Sequence, residues 1–364
     1  MKRIKLLATL NYILPLFFIL FFLVPTLAQE GKIIREMVHG KSLENNATGE
    51  AVERSVTIYL PPGYETAPDK RYPVLYLLHG IADNDQNWTR AWAKGNDGYA
   101  TISEIMNKGI SEKRFGEIIV VMPGQRTKAF GSFYVNSSAT GNWEDFTVKD
   151  LVGFVDGKYR TLAKASSRGI AGHSMGGYGA LTLGMKHPEV FSVVYGMNAA
   201  VVGWGADLTV NSPNFSSILK IKSVDELMKT DDLYTIATVT LAQAFSPNPN
   251  NPPFFADLPF AMIDGKLQPS APAYAKWEEK FPVNMVRTYR ANLLKLRGFR
   301  FDSGYEDEFK FIPVNSRALS AELTKNGVEH VFEEYNGDHR NRLWGKNGRL
   351  ISEVLPFFWF NLEH

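Results

Sequence analysis

The sequence predicts an α/β fold: a mostly parallel central sheet with helices on both faces and a cap-like insertion. Three observations carry this reading. First, "YPVLYLLHG" (72–80), "EIIVVMPG" (117–124) and "FSVVYGMNAA" (191–200) are almost uninterrupted apolar runs, as expected of strands buried on both faces. Second, segments of helical spacing separate these runs, and alternating strands and helices imply parallel pairing. Third, the rhythm breaks over 202–290, where "SPNPNNPPFF" (246–255) and "SVDELMKTDDLYTIATVTLAQAF" (223–245) form no strand–helix unit. That segment reads as an insertion with short helices of its own.

The chain begins "MKRIKLLATLNYILPLFFILFFLVPTLAQE". A basic start, the apolar stretch Tyr12–Val24 and the exit Thr26-Leu27-Ala28 are the parts of a secretory signal over residues 1–28. The alternative is an uncleaved membrane anchor over Leu6–Ala28. Either places the working part, 29–364, outside the cytoplasm as a single domain carrying the insertion. Membrane association is expected only if the leader stays attached.

Residues 29–50 read as a polar lead-in. "ERSVTIYLPPGY" turns Val56, Ile58 and Leu60 inward and stops at Pro61-Pro62-Gly63, so it predicts an edge strand. "GYATISEIMNKG" (98–109) has helical spacing, and in "NWEDFTVKDLVGFVDGKYR" Trp143, Val148, Leu151, Val152, Val155 and Tyr159 form a helical stripe. "RGIAG" (168–172) is a short strand, followed by a helix that ends before Pro188. Beyond the insertion come helix "VRTYRANLLKL", strand "GFRFDSG", helix "PVNSRALSAELTKNG" and strand "VEHVFEEY". A last helix is expected to begin near Asn341 or Asn347 and to run into "LISEVLPFFWF".

Composition excludes several chemistries. Without Lys2, Arg3 and Lys5 the formal charge of +2 becomes −1, which leaves no electrostatic case for nucleic acid. With 0 cysteines there is no disulfide, thiolate metal site or cysteine nucleophile, a pattern that suits a bacterial envelope or secreted protein. In that setting the N-x-[ST] matches at Asn46, Asn87, Asn136 and Asn214 read as chance. Asp83, Asp85 and Asn87 have calcium-loop spacing, but Trp88 and Lys94 stand where that loop needs glycine and an acid. The loop instead reads as part of a pocket entrance. H-E-x-x-H is absent, and no cofactor or metal is expected. Aromatic residues in "NPPFFADLPF" and "PAYAKW" could grip a sugar or aryl ring or simply pack the insertion.

The chemistry centres on "GIAGHSMGGYGAL" (169–181), in which Gly172–Gly176 satisfy G-x-S-x-G between a strand and a helix. Such a turn strains the serine backbone, and Gly172 and Gly176 remove collisions beside it. A serine hydroxyl needs a base, and the base needs a carboxylate, in the order serine, acid, histidine. Of 7 histidines, His39 and His79 precede Ser174, His173 adjoins it, His187 ends the helix, His330 falls in a predicted strand and His364 is terminal. His339, in the loop "YNGDHRNRLW", remains. For the acid, Asp307 ranks before Asp302 and Glu306, and Asp338 reads as a turn residue. Two backbone N–H donors for an oxyanion are expected from Met175 and Ile81. His79 is expected to brace the Ile81 loop by hydrogen bonding.

"YPVLYLLHGIADNDQNW", "GSFYVNSSATGNWEDF", "GHSMGGYGALTLGMKHPEVF", "SGYEDEF" and "GDHRNRLW" together resemble the putative-esterase family of α/β-hydrolases. That family includes esterase D (S-formylglutathione hydrolase), feruloyl and acetylxylan esterases, enterochelin esterases and mycolyltransferases. The resemblance spans roughly 53–200 and 298–345 and implies the α/β-hydrolase fold. It implies Ser174 as nucleophile, Asp307 as acid, His339 as base and Ile81 as the second oxyanion donor. The expected activity is that of a serine carboxylesterase on a small-molecule or carbohydrate-linked ester, with acyl-sugar, feruloyl or acetyl esters in view. The same triad could serve an acyltransferase with a sugar or lipid alcohol acceptor, or the fold could persist in a non-catalytic binding protein. Insertion 202–290 is longer than in compact members, and export with 0 cysteines argues against the formylglutathione branch. Oligomeric state is not legible.

Overall fold

The structure, a computed structural model, describes residues 30–90, 99–209 and 217–364. The predicted leader lies outside the described residues. Eight strands form one sheet: β1 Lys32–His39, β2 Glu53–Leu60, β3 Val74–Leu78, β4 Ile119–Pro123, β5 Arg168–His173, β6 Val193–Met197, β7 Gly298–Gly304 and β8 Val331–Tyr335. Their spatial order is β1-β2-β4-β3-β5-β6-β7-β8. β2 is antiparallel to both of its neighbours, and every other pairing is parallel.

Alternation along each strand feeds two cores. In β3, Val74, Tyr76 and Leu78 join Val155, Leu181 and Leu319 on one face. Leu75 and Leu77 join Ile105, Met106 and Leu355 on the other. Helices α1 (Ile102–Ser111), α2 (Val152–Lys158), α3 (Met175–Lys186), α5 (Phe311–Lys325) and α6 (Leu355–Asn361) cover the sheet, and α4 (Leu233–Phe245) lies in the insertion. α1 starts at a capping box in which Thr101 accepts from the Glu104 N–H and the Glu104 carboxylate accepts from the Thr101 N–H.

Three elements differ from the sequence reading. "KIIREMVH" is strand β1 rather than lead-in, so β2 is not an edge, and Thr57 and Tyr59 are buried along with Val56 and Ile58. β1 was hidden because an outermost strand buries little, here chiefly Val38. The "VRTYRANLLKL" stretch is divided into Pro282–Thr288 and Arg290–Leu293. The last helical segment begins at Leu350, while Asn341 closes a turn with Asp338.

Register positions the site. His173 pairs with Met197 and Met197 with Asp302, so β5, β6 and β7 finish in one row. Ser174, Asn198, the loop after Gly304 and the loop after Tyr335 therefore leave the sheet at the same carboxyl edge. In parallel sheets that edge is where ligands bind.

Candidate active site

Ser174 joins β5 to α3 with φ +56° and ψ −117°. A non-glycine residue held there stores on the order of 1–3 kcal/mol of strain. The surroundings impose it: the Ser174 N–H donates to Met197 O at 3.0 Å, and its carbonyl accepts from the Tyr178 and Ala200 N–H groups, each at 3.0 Å. A Cβ at Gly172 would lie 2.2 Å from Gly176 O, and one at Gly176 would lie 2.4 Å from Leu78 O. Any side chain at either position would push helix and strand apart. Ser174 is 8% exposed and opens onto a cavity of about 630 Å³ that His339 also lines.

His339 Nδ1 donates to Asp307 Oδ2 at 2.8 Å, with both residues buried. The other Asp307 oxygen accepts the Phe309 N–H at 2.9 Å. Burial disfavours charge on either partner, raising the Asp307 carboxyl and lowering the His339 imidazole from their ordinary values. An imidazole that resists protonation and donates from Nδ1 keeps a lone pair on Nε2. That arrangement can take a proton from a neighbouring hydroxyl.

The remaining acids are engaged elsewhere. Asp302 lies within β7, its Oδ2 accepting from Tyr195 Oη at 2.8 Å and Arg349 Nε at 3.0 Å. Glu306 is exposed. Asp338 accepts the N–H groups of Arg340 and Asn341 through Oδ1, closing a turn.

Ile81 follows β3 in the turn held by an Ala82 N–H bond to Phe130 O at 2.9 Å. Met175 opens α3, where backbone N–H groups have no intrahelical acceptor. Both residues line the cavity, and among the described residues neither N–H is engaged. His79 Nδ1 donates to Gly80 O at 2.7 Å while its Nε2 accepts the Gln125 N–H at 2.9 Å. That bracing needs a neutral ring, and burial lowers its pKa to about 4.

Two residues of the site escaped the sequence reading. His173, set aside as the neighbour of Ser174, donates from Nε2 to His339 O at 2.7 Å. Asn198, just after β6 with φ +42°, donates to the same carbonyl at 3.2 Å and to Tyr335 Oη at 2.7 Å. Its Oδ1 accepts the Gly304 N–H at 2.7 Å. A lone asparagine at the end of an apolar strand was the available signal. Asparagine tolerates a positive φ better than most residues.

Asp83 and Asn87 line the cavity, whereas Asp85 is tied to Arg35, Ser55 and Thr57. In the insertion Trp204 stacks on Tyr274 at 5.1 Å and on Trp277 at 5.5 Å, none of them in the cavity lining, whereas Tyr234 lines the cavity.

An eight-stranded sheet with one reversed strand, a strained serine between β5 and α3, and an acid and a histidine after β7 and β8 define the α/β-hydrolase fold. Solved structures agree. A ferulic acid esterase matches with TM-score 0.62 and 21% identity over 92% of this chain and 99% of its own. An S-formylglutathione hydrolase from Agrobacterium tumefaciens matches with TM-score 0.58 and 15% identity over 92% and 97%. At such identities they speak for the fold alone. The family described as "Putative esterase" matches residues 49–355, and the chain belongs to it. An esterase of Mycobacterium tuberculosis (strain H37Rv) is 30% identical over 220 residues, 54% of this chain and 44% of that protein. An endo-1,4-beta-xylanase/feruloyl esterase of Xylanibacter ruminicola is 28% identical over 162 residues, 43% of this chain and 21% of that protein. This chain thus matches less than half the length of either relative.

Proposed function

We propose that this chain is an exported serine carboxylesterase. One observation carries the reading: His339, held by Asp307 at 2.8 Å, lines the cavity onto which the strained Ser174 opens. His339 Nε2 takes the hydroxyl proton as Ser174 Oγ bonds to the ester carbonyl carbon, and the oxyanion receives the Ile81 and Met175 N–H groups. Each such donor lowers the barrier by roughly 3 kcal/mol. The protonated imidazole then hands its proton to the alkoxy oxygen as that C–O bond breaks, leaving an acyl-enzyme. Water, deprotonated by the same imidazole, releases the acid and restores Ser174. Asp307 holds the ring in the tautomer that donates from Nδ1 and steadies the transient imidazolium.

Small-molecule and carbohydrate-linked esters are the proposed substrates. The relative from Xylanibacter ruminicola carries feruloyl esterase in its name, and a feruloyl esterase module from Clostridium thermocellum with TM-score 0.51 was solved with sinapinate. Export rests on the leader, and a mature chain starting after Ala28 would support it against an anchor.

The test is labelling by a fluorophosphonate probe together with ester hydrolysis. Both are expected of the wild type and expected to vanish in Ser174→Ala. Labelling retained in that variant would overturn the assignment. Product analysis with added sugar or lipid alcohols separates hydrolysis from acyl transfer.

A further inference from the structure

We propose that the cavity is divided by polarity and that the part walled by α4 receives an unsubstituted hydrocarbon acyl group, an alkyl chain or a plain arylalkenyl group. The proposal rests on the serine-esterase reading and names the acyl class for it.

α4, "LYTIATVTLAQAF", is apolar on two faces. Its back, through Ile236 and Val239, packs on Ile218, Leu227 and Ala129. Its front presents Leu233, Ala237 and Leu241 at i, i+4 and i+8 to the cavity that contains Ser174. Leu233 and Ala237 are only half-buried because they face that space. Val201, Leu208 and Ile312 line the same cavity.

The two hydroxyls on this helix that reach the cavity have committed their protons. Tyr234 Oη donates to Asp207 at 2.8 Å and Thr238 Oγ1 to Tyr234 O at 2.7 Å. Charged lining residues belong instead to the loops bearing Ile81 and His339: Asp83 on one, Arg340 on the other. Trp344 borders the same end, its ring 4.9 Å from that of His173, which lies 4.7 Å from His339. Because His339 protonates the leaving alcohol, the alcohol departs on this polar side. The acyl half is left to the α4 side. An acetyl group would leave that apolar wall uncovered, whereas each methylene laid against it is worth roughly fourfold in kcat/KM.

The experiment compares 4-nitrophenyl acetate with 4-nitrophenyl octanoate, which share a leaving group. The wild type is expected to favour octanoate by at least ~30-fold in kcat/KM. Ala237→Phe, which sets a ring across the middle of the wall, should cut that ratio at least tenfold. The milder Ala237→Leu should cut it less, and thermal melts report whether each variant is folded. Methyl cinnamate should be cleaved at least as fast as methyl 4-hydroxycinnamate, whose hydroxyl finds on this side only the lone pairs of Tyr234 and Thr238 to replace its water. Equal rates on acetate and octanoate, an unchanged ratio in folded Ala237→Phe, or a preference for the hydroxylated ring would overturn the proposal. Calorimetric binding of free octanoate to Ser174→Ala, weakened by adding Ala237→Phe, tests the chamber without turnover. If octanoate binds there but the wild type cleaves neither ester, the chamber stands and the esterase reading falls. If acetate is cleaved and octanoate neither binds nor is preferred, the reverse holds.

Discussion

Asp302 and Asp307 lie on one strand–loop segment, both buried, both with carboxyls raised by burial, yet their surroundings give them different work. Asp302 is still in β7, and its carboxylate meets Tyr195 and Arg349, the latter also paired with Glu333 at 2.7 Å. It ties the strand to the start of the last helical segment. Asp307 has left the sheet, and its carboxylate meets a histidine on the cavity wall. Burial alone therefore does not make a carboxylate catalytic. The partner differs: Asp302 meets a permanent cation, whereas Asp307 meets an imidazole that can gain and lose a proton, as the proposed mechanism requires.

Substitutions can break this contrast. Asp307→Asn should lower kcat by about 10⁴-fold with little change in urea midpoint, because the amide no longer enforces the Nδ1–H tautomer. A loss equal to that of Asp302→Asn would erase the distinction. Asp302→Asn should do the opposite, costing about 3 kcal/mol of stability by leaving Arg349 short of its buried partner while the folded fraction keeps its turnover. A smaller effect is expected of Asn198→Ala: kcat down roughly tenfold with KM nearly unchanged, since the variant loosens His339 without touching substrate. Restoration by Asn198→Gln, or no change in kcat, would count against that positioning role.

The mildest test is a pH profile. Burial lowers His339 below the ordinary histidine value of 6.5, so the active neutral ring persists on acidification, and the acid limb of kcat/KM should have its midpoint below that pH. His79 and His173 are lowered by burial as well. The unfolded chain binds their protons first, so the contribution of these two rings to stability is full above pH 6.5 and is lost as pH falls toward about 4, opposed over the same interval by the raised carboxyls of Asp302 and Asp307. Imidazole resonances of His79 and His173 that titrate near pH 6.5 in the folded protein would show that these rings are not held neutral.

Much of the architecture was legible. Apolar runs marked the inner strands because strands buried on both faces cannot afford polar positions. Residues around Ser174 were legible because the strained turn demands particular neighbours within a few positions. His339 was reached by elimination among few histidines. β1 was missed because an outermost strand carries a weak pattern, and His173 and Asn198 were missed because their importance lies in a carbonyl more than a hundred residues downstream.

What the sequence by itself determined is local: which segments are strands, where the chain must bend sharply, and which side chains have the chemistry for acyl transfer. The partners that Asp302 and Asp307 meet, the clamping of His339 by His173 and Asn198 and the turning of one face of α4 toward Ser174 were decided only by tertiary structure. The reason is physical. Hydrogen bonds and apolar contacts between distant segments depend on how strands are ordered and registered across the sheet, and no short stretch of chain encodes that arrangement on its own.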